Sequence, residues 1–169
     1  MNNLTRPDDD DLVITQDPLE VVERVLSTEN LDFERTEDGD LAFAIAGDWK
    51  EYEMWFAWRP QAECLQICLS IDRKVEAGVL AAACRLVNLI NQRVWLGHFE
   101  VWADDGEIIF RHAMGLPEGE RPSLAQAASM IDASLEAADR FYPAFEFLVA
   151  GKTPEEAMTA CMFETLGQA

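Results

Sequence analysis

The sequence predicts an α+β domain in which one mostly antiparallel sheet buries an apolar face against helices. Three observations carry that expectation. Two acidic loops ending in Asp-Gly, Glu37-Asp38-Gly39 and Asp104-Asp105-Gly106, each separate short apolar runs, the pattern of a hairpin whose glycine takes positive φ. Between Val75 and Gln92 the apolar period lengthens from that of a strand to about 3.6 residues. From Leu124 to Val149 apolar side chains recur at three- and four-residue steps, which requires a long helix.

The elements follow in order. Asp17-Pro18-Leu19-Glu20 supplies a capping carboxylate, a proline at the first turn and a second acid behind it, so a helix starts there. Val21, Val22, Val25 and Leu26 form its apolar stripe, and Asn30 ends it. Strands are expected over Leu31–Thr36, Leu41–Ala46, Tyr52–Trp58 and the run holding Leu65 to Ile71, as a four-stranded meander. In the third, Tyr52, Met54, Phe56 and Trp58 share one face, and Trp55 and Ala57 the other. In the fourth, Leu65, Ile67, Leu69 and Ile71 line the core, and Cys64, Gln66, Cys68 and Ser70 face away. The central helix carries Val79, Ala82, Ala83, Leu86, Val87 and Ile90 on one side. A second hairpin, His98–Ala103 with Glu107–Ala113, comes next. Ser123 with Gln126 is a capping box for the long helix, a kink is expected near Pro143, and Gly151 ends the helix. Thr153-Pro154-Glu155-Glu156 opens the last, short helix. The predicted order is therefore helix, four strands, helix, two strands, long helix, short helix.

A chain of 169 residues is about one domain, able to bury a core without disulfides. Residues 1–16, with Asp8 to Asp11 in succession, are expected to be an acidic tail, and 17–169 the single domain. Thirteen basic against thirty-two acidic side chains give a net charge of −19, a field that repels phosphate backbones and anionic lipid heads. Nucleic acid and membrane surfaces are thus not expected partners. The absence of a readable secretory signal or a long apolar run places the expected location in the cytoplasm. Cys64, Cys68, Cys84 and Cys161 have no metal-ligand or redox spacing and read as buried small hydrophobes.

Chemistry finds little purchase. Gly151-Lys152-Thr153 matches the end of a phosphate-binding loop, but Glu146 stands where that loop needs glycine, so the segment reads as one helix stopping and another starting. Glu146, between Phe145 and Phe147, is the nearest approach to an isolated carboxylate, and a solvent-facing stripe explains it equally. If Ala103 faces Glu107 across a three-residue loop, His98 and His112 face each other across the hairpin. Two imidazoles are too few for a zinc site, which needs three or four ligands. A metal-dependent hydrolase using His98, His112 and nearby carboxylates is the alternative to a non-enzymatic protein. No catalytic residue, metal or cofactor is expected.

Aromatic residues are the stronger signal. Trp55 and Trp58 occupy opposite faces of one strand, and Trp95 and Trp102 flank the second hairpin. One helical layer on one face cannot cover them all, so Trp55, Trp58, Trp95 and Trp102 are the candidate partner-binding residues. The expected partners are a segment of another protein and a second copy of the chain, since homodimer interfaces are rich in aromatic and apolar area.

Several separated segments, in order, resemble the bacterial YbjN-domain proteins: Val21-Val22-Glu23-Arg24-Val25-Leu26, Phe33-Glu34-Arg35, Asn88-Leu89-Ile90-Asn91, Trp95-Leu96-Gly97-His98-Phe99 and Arg140-Phe141-Tyr142-Pro143-Ala144-Phe145. The resemblance covers about residues 17–165. It implies a fold similar to the small acidic chaperones of type III secretion, which are α+β homodimers that bind effector segments, and the family label of sensory transduction regulator. It implies no catalytic residues. The function expected is a non-enzymatic regulatory or chaperone-like protein-binding module.

Overall fold

The computed structural model describes residues 17–117 and 120–166, so the expected acidic tail at 1–16 lies outside the described residues. Helix α1 (Leu19–Thr28) starts where the Asp17 carboxylate accepts the Leu19 N–H at 3.0 Å, and it buries Leu19, Val21, Val22, Val25 and Leu26. Asn30, at φ 57, turns the chain out of the helix, and the Leu31 N–H closes back on the Leu26 carbonyl at 2.9 Å.

Six strands follow: β1 (Phe33–Arg35), β2 (Leu41–Ala46), β3 (Glu51–Arg59), β4 (Cys64–Lys74), β5 (His98–Val101) and β6 (Glu107–Gly115). They form one sheet in the order β1-β2-β3-β4-β6-β5, and every neighbouring pair is antiparallel. The register explains the core, because directly opposed residues share a face. One continuous row, Phe33–Phe43–Met54–Leu69–Phe110–Phe99, crosses all six strands on the helix side. Phe99 sits on Phe110, Phe141 and Phe145 with ring centroids 5.1, 6.1 and 5.3 Å away, which joins the edge of the sheet to the long helix.

Helices α2 (Leu80–Asn91), α3 (Leu124–Val149) and α4 (Pro154–Leu166) complete the element order that the sequence predicts. The α3 capping box is formed: Ser123 Oγ accepts the Gln126 N–H at 3.1 Å and Gln126 Oε1 accepts the Ser123 N–H at 2.8 Å. Helix α3 continues through Pro143, which is buried together with Tyr142, Ala144 and Phe145, so contacts along this turn hold it against the lost N–H. Thr153 and Glu156 cap α4 reciprocally, which bears out the stop and start around Gly151.

Four expectations shift. Strand β1 is half the predicted length, and α2 begins at Leu80 because the Val75 N–H is engaged by the Gly106 carbonyl at 2.9 Å. Cys84 is exposed on α2, unlike Cys68 and Cys161, which are buried. The second hairpin is also one residue out of the predicted register: His98 pairs with Arg111, and Trp102 with Glu107 through its N–H at 2.8 Å. Gly106 closes this longer loop on the Trp102 carbonyl at 2.7 Å. A slip of one residue turns side chains to the opposite face, so His98 and His112 do not face each other.

The outer edge of β5 is closed by a side chain. The Asn91 amide accepts the Phe99 N–H at 2.8 Å and donates to the Phe99 carbonyl at 3.0 Å, taking the place of a neighbouring strand. Asn91 lies one residue beyond buried Ile90 at the end of α2, so the helix is both packed and stitched to the sheet.

Candidate functional site

The helices share one side of the sheet, and among the described residues none covers the other. Its central row runs Glu34–Ala42–Trp55–Cys68–Arg111–His98. Cys68 is 3% exposed although no helix lies over it, since Trp55 and Arg111 stand directly across the neighbouring strands. That burial pushes its thiol up to about 11, so it is no nucleophile at neutral pH.

Toward β5 the face is closed by polar contacts around one carboxylate. Glu100 Oε1 accepts the Trp102 indole N–H at 2.7 Å and a bond from Arg111, while Oε2 lies 3.8 Å from His98 Nε2. Toward β1 it opens. The segment Leu41-Ala42-Phe43-Ala44-Ile45-Ala46 alternates large and small, so β2 sends Leu41 and Phe43 into the core and leaves alanines on the open side. Ala42 and Ala44 therefore floor a trough of about 650 Å3. Trp55 and Glu53 on β3 form one wall, Asp32 and Glu34 the other, and Asp38 and Asp40 close one end. Asp40 is held by Arg59 through a two-pronged contact at 2.9 and 3.2 Å. The side chains of Asp32, Glu34 and Glu53 make no hydrogen bond or ion pair among the described residues.

The four candidate tryptophans do not form one surface. Trp55 and Trp102 belong to the helix-free face, at opposite ends of it. Trp58 is on the helix side, partly buried against the core. Trp95 stands 97% exposed on the loop between α2 and β5, beside a pocket of about 110 Å3 lined by Ala133, Ala137, Arg140 and Phe141 of α3. The alanines and carboxylates of the trough were not legible as a site. Their signal is the small alternate residue in β2, which reads in sequence simply as the outward half of a strand.

The hydrolase alternative loses its geometry. His112 lies in the helix-side row Leu41–Phe56–Ile67–His112, with the sheet between it and His98. Among the described residues no group of three or more His, Cys, Asp or Glu side chains is placed to hold a metal ion. Glu146 is engaged by Arg73, and Arg73 also donates to the Tyr142 hydroxyl at 2.9 Å.

Burial lowers the His112 pKa below its ordinary 6.5. The unfolded chain then binds the proton more readily, so the stabilising contribution is complete above pH 6.5 and is lost as pH falls from there toward the folded pKa. Urea midpoints measured from pH 7.5 down to 5 should fall more steeply for the wild type than for His112→Gln. Parallel curves would contradict this.

The described residues thus form an antiparallel sheet with helices on one side and an aromatic and acidic face on the other. The sequence profile of the YbjN family, described as "Putative bacterial sensory transduction regulator", matches residues 18–147, and the chain belongs to that family. The structure is similar to the "Crystal structure of YbjN, a putative transcription regulator from E. coli", with a TM-score of 0.52 at 10% sequence identity, covering 72% of this chain and 85% of that one. That likeness shows the α+β fold. No curated protein matches the sequence significantly. Among the described residues no helix is long and apolar enough to cross a membrane.

Proposed function

We propose that the protein is a cytoplasmic regulatory module that binds a segment of another polypeptide on the helix-free face of its sheet. The observation that carries this reading is the trough over Ala42 and Ala44, walled by Trp55 and left uncovered among the described residues. A sheet face with no helix on it offers a rigid platform, and an indole supplies large contact area at little cost in side-chain entropy. Trp55 and Trp102 are the contacts on this face. Trp95 offers a separate apolar contact beside α3, and Trp58 acts through packing at the sheet end.

A chaperone-like mode, in which an unfolded client segment is held as type III secretion chaperones hold theirs, is the finer part of the proposal. So are pairing with a second copy, which would cover the exposed Trp95, and a single domain over 17–169 preceded by an acidic tail. Family membership supports the regulatory reading, and the aromatic face supports the binding reading.

Photo-crosslinking groups placed at Ala44, Trp102 and, on the exposed side of α4, Thr159 test the face. Polypeptide adducts are expected at the first two positions in the native cytosol. Adducts of equal yield at Thr159, or none at Ala44 and Trp102, would reject the sheet face.

A further inference from the structure

The trough carries a charge pattern that specifies its occupant. Asp32, Glu34 and Glu53 stand around Ala42, Ala44 and Trp55 without ion-pair partners among the described residues. Several cations are already matched: Arg35, Lys50, Arg73, Lys74, Arg85 and Arg111 each meet a carboxylate away from the trough, and Arg59 meets Asp40 at its end. We propose that the trough binds an extended polypeptide segment carrying arginine or lysine at alternate positions, with one cation against the Trp55 ring and others against Asp32, Glu34 and Glu53. This rests on the reading of the helix-free face as a protein-binding surface.

The floor sets the shape. Ala42 and Ala44 are successive same-face residues of a strand, about 6.7 Å apart, and alternate side chains of an extended segment repeat at the same interval. Absent side chains on the floor let a backbone approach closely, while longer cationic side chains reach the walls. Guanidinium or ammonium groups match both walls, since they pair with carboxylates and are attracted to an indole face. A second copy seated here by two-fold symmetry would bring the same carboxylates together, and like charges oppose such contacts. A nucleic acid would meet the same repulsion.

Anisotropy of labelled short peptides alternating arginine with valine tests the proposal, with glutamine–valine and glutamate–valine peptides alongside. The full chain is compared with Ala44→Leu, which fills the trough at an exposed position, and with the double variant Glu34→Gln, Glu53→Gln. The arginine peptide should bind and the glutamate peptide should not. Each variant should weaken the arginine peptide about tenfold or more, the effect of losing close interfacial charge pairs or the floor. Raising salt should weaken the wild type more than the double variant.

If arginine and glutamine peptides bind equally and respond equally to Ala44→Leu, the cationic partner is overturned while segment binding on this face survives. Arginine binding untouched by either variant would mean generic attraction to an acidic surface, and overturns the site. Sedimentation showing a dimer that Ala44→Leu abolishes would make the trough a contact between copies, and overturns it as well. No peptide binding, together with failed crosslinking at Ala44 and Trp102, would remove the underlying reading too.

Discussion

Phe99→Ala is expected to lower the unfolding free energy by about 4 kcal/mol, with the urea slope unchanged. The ring is 1% exposed and is the shared neighbour of Phe110, Phe141 and Phe145, so truncation opens a cavity where β5, β6 and α3 meet. Aromatic pairs contribute roughly 0.5–1.5 kcal/mol beyond their buried area, which keeps the loss well within the range of about 3–5 kcal/mol for such replacements. For a chain of this size the melting temperature should fall by about 12 °C. Four residues earlier, Trp95→Ala removes a larger side chain that is almost wholly in solvent, and should change stability by no more than about 0.5 kcal/mol. A small loss from Phe99→Ala, or equal losses from both, would contradict the central role given to the phenylalanine row.

Gly106→Ala should cost about 3 kcal/mol, against about 1 kcal/mol for Gly39→Ala. Both glycines have positive φ, 73° and 82°, so a side chain at either meets the same kind of backbone penalty. What differs is the surroundings. A Cβ on Gly106 would stand 2.2 Å from the Val75 carbonyl oxygen, whereas one on Gly39 meets nothing within 4 Å. The Val75 oxygen cannot swing aside as a flexible side chain would, and the Val75 N–H bond to the Gly106 carbonyl ties the two segments together. Displacing them disturbs the turn that leads into α2 as well as the hairpin. Chemical denaturation of the two variants side by side checks the difference, and equal midpoints would refute it.

The two hairpins show why part of this was legible and part was not. Both have an acidic loop ending in Asp-Gly, and chain-local chemistry suffices to say that each glycine turns with positive φ. The loop length is another matter. Trp102 bonds to Glu107 and Gly106 returns to Trp102, which adds one residue to the predicted turn and separates His98 from His112. The metal-dependent alternative depended on that one residue. Side-chain alternation along a strand is local and was readable, but which pair of strands faces which depends on a turn anchored to Val75, some thirty residues away in the chain.

The candidate site divides in the same way. Trp55 could be singled out as an outward-facing aromatic because Tyr52, Met54, Phe56 and Trp58 claim the core side of β3. Its pairing with Ala42, and the placing of Glu34 beyond that, could not be read, because cross-strand neighbours are set by register. Trp58 and Trp95 were grouped with it on aromatic character, and the fold disperses them: one rests on the core at the strand's end, the other stands beside α3.

By itself the sequence determined the order of elements, the caps of the first, long and last helices, the inward face of the fourth strand and the strongly acidic composition, since these follow from residue spacing and local hydrogen bonding. Tertiary structure alone decided which outward residues become neighbours. It closed one half of the open face around Glu100 and left the other half an alanine-floored trough whose walls carry unpaired carboxylates at Asp32, Glu34 and Glu53 among the described residues, because contacts between distant strands depend on register and packing that local preference does not encode.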